Sequence, residues 1–163
     1  MKVPYYPWAL KSLLDGRPSI GSLMDLCDEN YHHLSRLAPT LREMRGRYLS
    51  ETICSVALYL EILEQTPYTT LIHLTYYFFD GSEQKADPDA TLRIYHDSRQ
   101  AEVINLKQRA LPLDRTFESP ALDQKWKINM FISKWLSYCA GQGHSFAPLG
   151  ADGALNHPVL EQA

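Results

Sequence analysis

Tyr68-Thr69-Thr70-Leu71-Ile72-His73-Leu74-Thr75-Tyr76-Tyr77-Phe78-Phe79 is the stretch on which the fold turns. β-Branched and aromatic side chains dominate it, and these fit a pleated surface better than a helix. Glu64-Gln65-Thr66-Pro67 before it reads as a turn, with proline fixing the backbone. Asp80-Gly81-Ser82 leads out of it. Upstream, Thr52, Cys54, Val56, Leu58, Leu60 and Ile62 alternate with Ile53, Ser55, Ala57, Tyr59 and Glu61. The content after Ala57 favours a strand, whereas residues 50–57 also fit a helix. Downstream, residues 80–89 are polar, contain Pro88 and read as a loop. Thr91–Asp97 and Gln100–Gln108 then form a second hairpin around Asp97-Ser98-Arg99-Gln100. The register expected for it sets Asp97 against Gln100 and Tyr95 against Glu102.

Helical periodicity frames these strands. Leu23, Leu26, Cys27, Tyr31 (or Asn30), Leu34 and Leu37 recur at three- and four-residue steps, beginning near Ser22 and ending before Pro39. Ile128, Phe131, Ile132, Trp135, Leu136 and Cys139 form a second stripe, with Ser119-Pro120 at its start and Gly141 or Gly143 at its end. Between the first helix and the strands, Arg42, Arg45 and Arg47 mark a basic connector. It reads as a solvated face or as a contact for phosphate or an acidic partner. The expected fold class is α+β. A mostly antiparallel four-stranded sheet, built as two hairpins, is covered on one face by an N-terminal and a C-terminal amphipathic helix.

The chain of 163 residues and 18.7 kDa is the size of one domain. Residues 1–18 read as an N-terminal arm, 19–143 as the domain and 144–163 as a flexible tail. With 45% hydrophobic and 21% charged residues the composition is that of a globular protein. A net charge of −3 argues against a broad grip on nucleic acid. No apolar run is long enough for a membrane span, and the N-terminus lacks the apolar core of a signal peptide. Cys27, Cys54 and Cys139 fit neither a disulfide framework nor a metal clip. A cytoplasmic protein with reduced thiols is expected.

Several strings then occur together in one order: Leu26-Cys27-Asp28-Glu29-Asn30-Tyr31, Leu34 through Pro39, Tyr68-Thr69-Thr70-Leu71, Leu92-Arg93-Ile94-Tyr95-His96-Asp97, Ala101-Glu102-Val103, Ile128-Asn129-Met130-Phe131 and Trp135-Leu136-Ser137-Tyr138-Cys139. This set resembles the YqiB-like family of small proteobacterial proteins over about residues 22–143. The resemblance implies a bacterial, cytoplasmic protein. It brings no reaction, cofactor or partner with it.

Tyr95-His96-Asp97 is the most suggestive cluster for chemistry, since histidine titrates near neutrality. Neighbours in a strand point to opposite faces, however, so His96 and Asp97 should not pair without a bulge. Tyr95, Glu102 and Arg93 would share a face and form a polar patch. That patch serves either a ligand or cross-strand bonding. Asn30 and Asn129, poor helix formers inside helices, serve packing or a ligand. His32 and His33 are adjacent and splay apart on a helix; His73 and His96 would have to converge across strands. No metal or cofactor is called for by any motif. Cys27 and Cys139, on apolar stripes, should be inert. Trp8, Tyr76 and Tyr77 are the candidate partner surface. The expectation is a non-catalytic protein-binding or adaptor domain. The alternatives are a small-molecule sensor or small enzyme using the Tyr95–Glu102 region, and a weak single-stranded RNA binder using the aromatic run.

Overall fold

The computed structural model describes residues 19–53, 55–107 and 121–147. Helix α1 spans Ile20–Leu37. A 3-10 turn at Leu41–Glu43 leads into strands β1 (Arg47–Thr52), β2 (Ser55–Gln65), β3 (Thr69–Asp80), β4 (Glu83–Tyr95) and β5 (Gln100–Lys107), and helix α2 (Ala121–Gly141) follows. The strands form one antiparallel meander in the order β1-β2-β3-β4-β5. The α+β class and the two helices agree with the sequence. The strand count does not: among the described residues the sheet has five strands, and no loop splits it into two hairpins.

The extra strand is β1, expected as a basic connector running into a possible helix. Its only buried residue is Ser50, so no apolar period announces it. Its register, Arg47 opposite Glu61 and Leu49 opposite Tyr59, fixes it at the sheet edge. Residues 83–89, expected as a loop, belong to β4. The register passes from Thr75–Asp89 to Tyr77–Ala86, so Asp87 and Pro88 lie in a bulge. Proline is tolerated there because the bulge interrupts the ladder. Thr75 Oγ1 donates to the Pro88 carbonyl at 2.7 Å. Gly81, at φ 68°, supplies the left-handed residue of the tight β3–β4 turn.

Helix α1 starts earlier than the Ser22–Asp25 spacing suggests. Ser19 is its N-cap and exchanges a capping box with Ser22. Its buried residues include Leu26, Cys27, Asn30, Leu34 and Leu37, so Asn30 rather than Tyr31 completes the stripe. In α2 the expected face is present: Ile132, Trp135, Leu136 and Cys139 are buried, with Ile128 and Phe131 packed beside them. These side chains meet Leu58, Leu60, Ile72, Leu74, Ala90, Leu92, Ile94, Ala101 and Val103 from one sheet face. Burial of such residues contributes about 25 cal/mol per Å² of apolar surface.

Beyond α2 the chain is still packed. Gly143 turns it at φ 91°, His144 and Phe146 are each 3% exposed, and Phe146 N–H donates to the Leu37 carbonyl at 2.6 Å. The packed chain therefore passes the boundary at 143 drawn from the sequence. The rest of the expected tail, the arm at 1–18, Cys54 and the segment 108–120 lie outside the described residues.

Candidate functional site

The helices leave the other sheet face without a helical cover among the described residues. Alternation places Tyr59, Glu61, His73, Tyr77 and Asp89 there. A row of side chains crosses four strands. Arg47 Nε lies 3.3 Å from Glu61 Oε1. Glu61 Oε2 lies 3.8 Å from His73 Nδ1. His73 Nε2 bonds Asp89 Oδ1. Each ring nitrogen thus faces a carboxylate. Among the described residues no group of three or more His, Cys, Asp and Glu side chains is placed to hold one.

Beside the row, Tyr59 and Tyr77 pack edge to face with centroids 4.7 Å apart. Burial and the nearby Asp89 and Glu61 carboxylates push the Tyr77 hydroxyl above the usual tyrosine range. The local field is therefore acidic, with Arg47 acting against it. Sequence reasoning passed over this row. Glu61, His73 and Asp89 are twelve and sixteen residues apart, and only the register between β2, β3 and β4 aligns them.

The residues singled out from sequence are distributed differently. Tyr76 is a correction: it is 9% exposed and stacks edge to face on Trp135 at 5.2 Å. Its hydroxyl is 3.0 Å from Cys139 Sγ. Alternation with Ile72 and Leu74 turns it into the core, while Tyr77 follows His73 onto the open face. Trp8 lies outside the described residues. The β4–β5 register is also shifted: Tyr95 opposes Gln100 and Arg93 opposes Glu102, because the loop takes four residues, 96–99. Arg93 and Glu102 are cross-strand neighbours, and Glu102 accepts from Lys125 Nζ of α2 at 3.2 Å. Asp97 is exposed and accepts from Ser98 N–H at 2.9 Å, a turn role. His96 lies apart, on the helix side. Its Nε2 is 2.6 Å from Thr70 Oγ1. It lines a small cleft with Tyr31, Leu34, Ser35, Arg42 and Ile94. The five residues are not gathered in one site.

Asn30 and Asn129 are both fully buried. Asn129 Nδ2 donates to the Lys125 carbonyl, which aims Oδ1 at Val103 N–H, 3.1 Å away. Asn30 Nδ2 donates to Asn129 Oδ1 at 3.2 Å and to the Ala101 carbonyl at 3.4 Å. The pair closes the β5 edge, which is the packing role anticipated from sequence. Both described cysteines are free thiols, and burial pushes Cys27 up to about 12 and Cys139 up to about 11, so both are inert near neutrality.

The geometry defines a class: an α+β protein whose meander sheet is roofed on one side by two helices and, among the described residues, open on the other. The comparisons agree with one another on its kin. Residues 33–145 match a family described as protein of unknown function (DUF1249). The chain is 31% identical to the "Uncharacterized protein YqiB" of Escherichia coli strain K12 over 144 residues, covering 81% of this chain and 96% of that one. The YqiB proteins of strains O6:H1 and O157:H7 match to the same extent. The chain belongs to this YqiB-like family. No solved structure gives a significant match. No helix of the described residues is long and apolar enough to cross a membrane.

Proposed function

We propose that this protein is a non-catalytic binding domain of the bacterial cytoplasm that takes a protein partner on the open face of its sheet. One observation carries the reading: the Arg47–Glu61–His73–Asp89 row lies beside the Tyr59–Tyr77 pair on the face the helices leave free. Two carboxylates and two aromatic rings form a set suited to basic side chains, through charge and cation–π contact. Tyrosine is enriched at protein interfaces because it combines area with a polar tip. The partner is therefore a protein surface presenting arginine or lysine. Cysteines left as free thiols are what a reducing compartment would keep.

Affinity capture on the immobilised full chain tests this. The comparison sets wild type against Tyr59→Ala, Tyr77→Ala, Asp89→Asn and Trp8→Ala, with Tyr138→Ala on the exposed side of α2 as control. The reading expects one saturable partner that weakens with salt, is lost in the three sheet-face variants and survives in the control. Equal capture by every variant, or capture insensitive to salt, removes it. A second reading, a small-molecule sensor, is favoured by the His96 cleft.

A further inference from the structure

The cleft beside His96 holds about 80 Å³. At about 15 Å³ of such space per water it has room for a ligand of roughly five to seven non-hydrogen atoms. Its apolar wall is Leu34, Ala38, Leu41 and Ile94, and its polar groups come from Ser35, Arg42 and His96. Hydrogen-bond bookkeeping fixes the state of the histidine. Gln65 Nε2 donates to the carbonyls of Leu41 and Met44 at 2.8 and 3.0 Å. Gln65 Oε1 must then be the acceptor for Thr70 Oγ1–H. With its proton given to Gln65, Thr70 Oγ1 can only accept from His96, so Nε2 carries a hydrogen. Nδ1 is left as the free nitrogen. Burial, and then the Arg42 charge, hold the imidazole below its usual pKa, with Asp97 opposing, so Nδ1 is a bare acceptor at neutral pH. Arg42 is exposed and uses one guanidinium nitrogen on the Pro67 carbonyl at 2.8 Å. Its other donors remain for a ligand.

We propose that this cleft binds a small oxyanion that also carries a hydroxyl, with Arg42 taking the anionic oxygen and His96 Nδ1 accepting from the hydroxyl. The Gln65–Thr70 relay makes His96 an acceptor rather than a second donor. The site therefore selects an anion with its own proton over a bare one. Hydrogen phosphate and a short 2-hydroxycarboxylate share this chemistry and fit the volume. Sulfate has the charge without the proton. The site is separate from the open sheet face, so it stands or falls independently of the protein-partner reading.

The test is a titration of the ¹⁵N-labelled full chain with phosphate, lactate and sulfate at pH 7 and constant ionic strength, reading the His96 ring nitrogens by NMR. The free protein should show the Nε2–H tautomer. Phosphate or lactate should shift Nδ1 saturably; whichever one does so identifies the source. Sulfate should bind about tenfold more weakly. Arg42→Gln should weaken binding by about tenfold, with Arg42→Lys recovering part of it. Retained backbone spectra will establish that each variant is folded. An Nδ1–H tautomer, no saturable shift with either proton-bearing anion, equal binding of sulfate, or undiminished binding in folded Arg42→Gln would overturn the proposal.

Discussion

Asn129 Oδ1, on α2, accepts hydrogen bonds from the Asn30 side chain of α1 and from the Val103 backbone of β5. One amide oxygen thus joins two helices to an edge strand. An antiparallel edge leaves alternate N–H and C=O groups unpaired. Here Val103 N–H and the Ala101 carbonyl are met by side chains instead.

Asn129→Ala should therefore cost more than an ordinary surface change. It orphans Val103 N–H in a buried site, at about 1–3 kcal/mol, and takes one of two acceptors from Asn30 Nδ2, at about 1 kcal/mol more. A loss of roughly 2–4 kcal/mol in urea unfolding is expected. Asn30→Ala should cost less, since Val103 keeps its acceptor. The double variant should fall short of the sum. Additive losses would show that the amides act separately.

Thiol reactivity gives a second check. In a Cys54→Ser background, Cys27 and Cys139 should resist alkylation near pH 8 until the protein unfolds, because burial holds both far above that pH. Rapid native labelling of either would place it at the surface. Tyr76→Phe, which removes the hydroxyl near Cys139, should cost about 1 kcal/mol.

Acid should weaken the fold in a defined window. Burial holds both His144 and His96 below the ordinary imidazole value. The unfolded chain takes up protons near pH 6.5 that the folded chain refuses. The contribution is complete above about pH 6.5 and is lost as pH falls through the depressed folded values. Denaturation midpoints measured between about pH 7 and pH 5 should fall, and His144→Gln should flatten that slope. A midpoint that rises on acidification would reverse the sign.

Much of this architecture was legible before any coordinates. The stripes Leu26–Leu37 and Ile128–Cys139, and the strand content of residues 68–79, follow from periodicity, because one buried face imposes it. β1 was illegible because it lies at an edge with only Ser50 buried. Residues 83–89 were misread because Pro88 signals a loop unless a bulge absorbs it. Tyr76 and Tyr77 read as one surface because four aromatics in a row hide the alternation that sends Tyr76 inward with Ile72 and Leu74. The His73 row was missed for a related reason: it exists only across strands, and no local spacing encodes it.

The open-face pair should matter little to stability. Tyr77→Ala removes an aromatic contact worth about 0.5–1.5 kcal/mol beyond its area, so the variant should stay folded. That makes it usable for binding work. A variant that fails to fold would give the tyrosine a structural role instead.

The most direct measurement on the central claim is photocrosslinking in bacterial cells, with a photoreactive residue replacing Tyr59 on the open sheet face or Tyr138 on the outer side of α2. The account predicts one discrete protein adduct from position 59 and none from position 138, and Asp89→Asn should abolish the adduct. Adducts from position 138 alone, identical adducts from both, or no adduct from position 59 would contradict it.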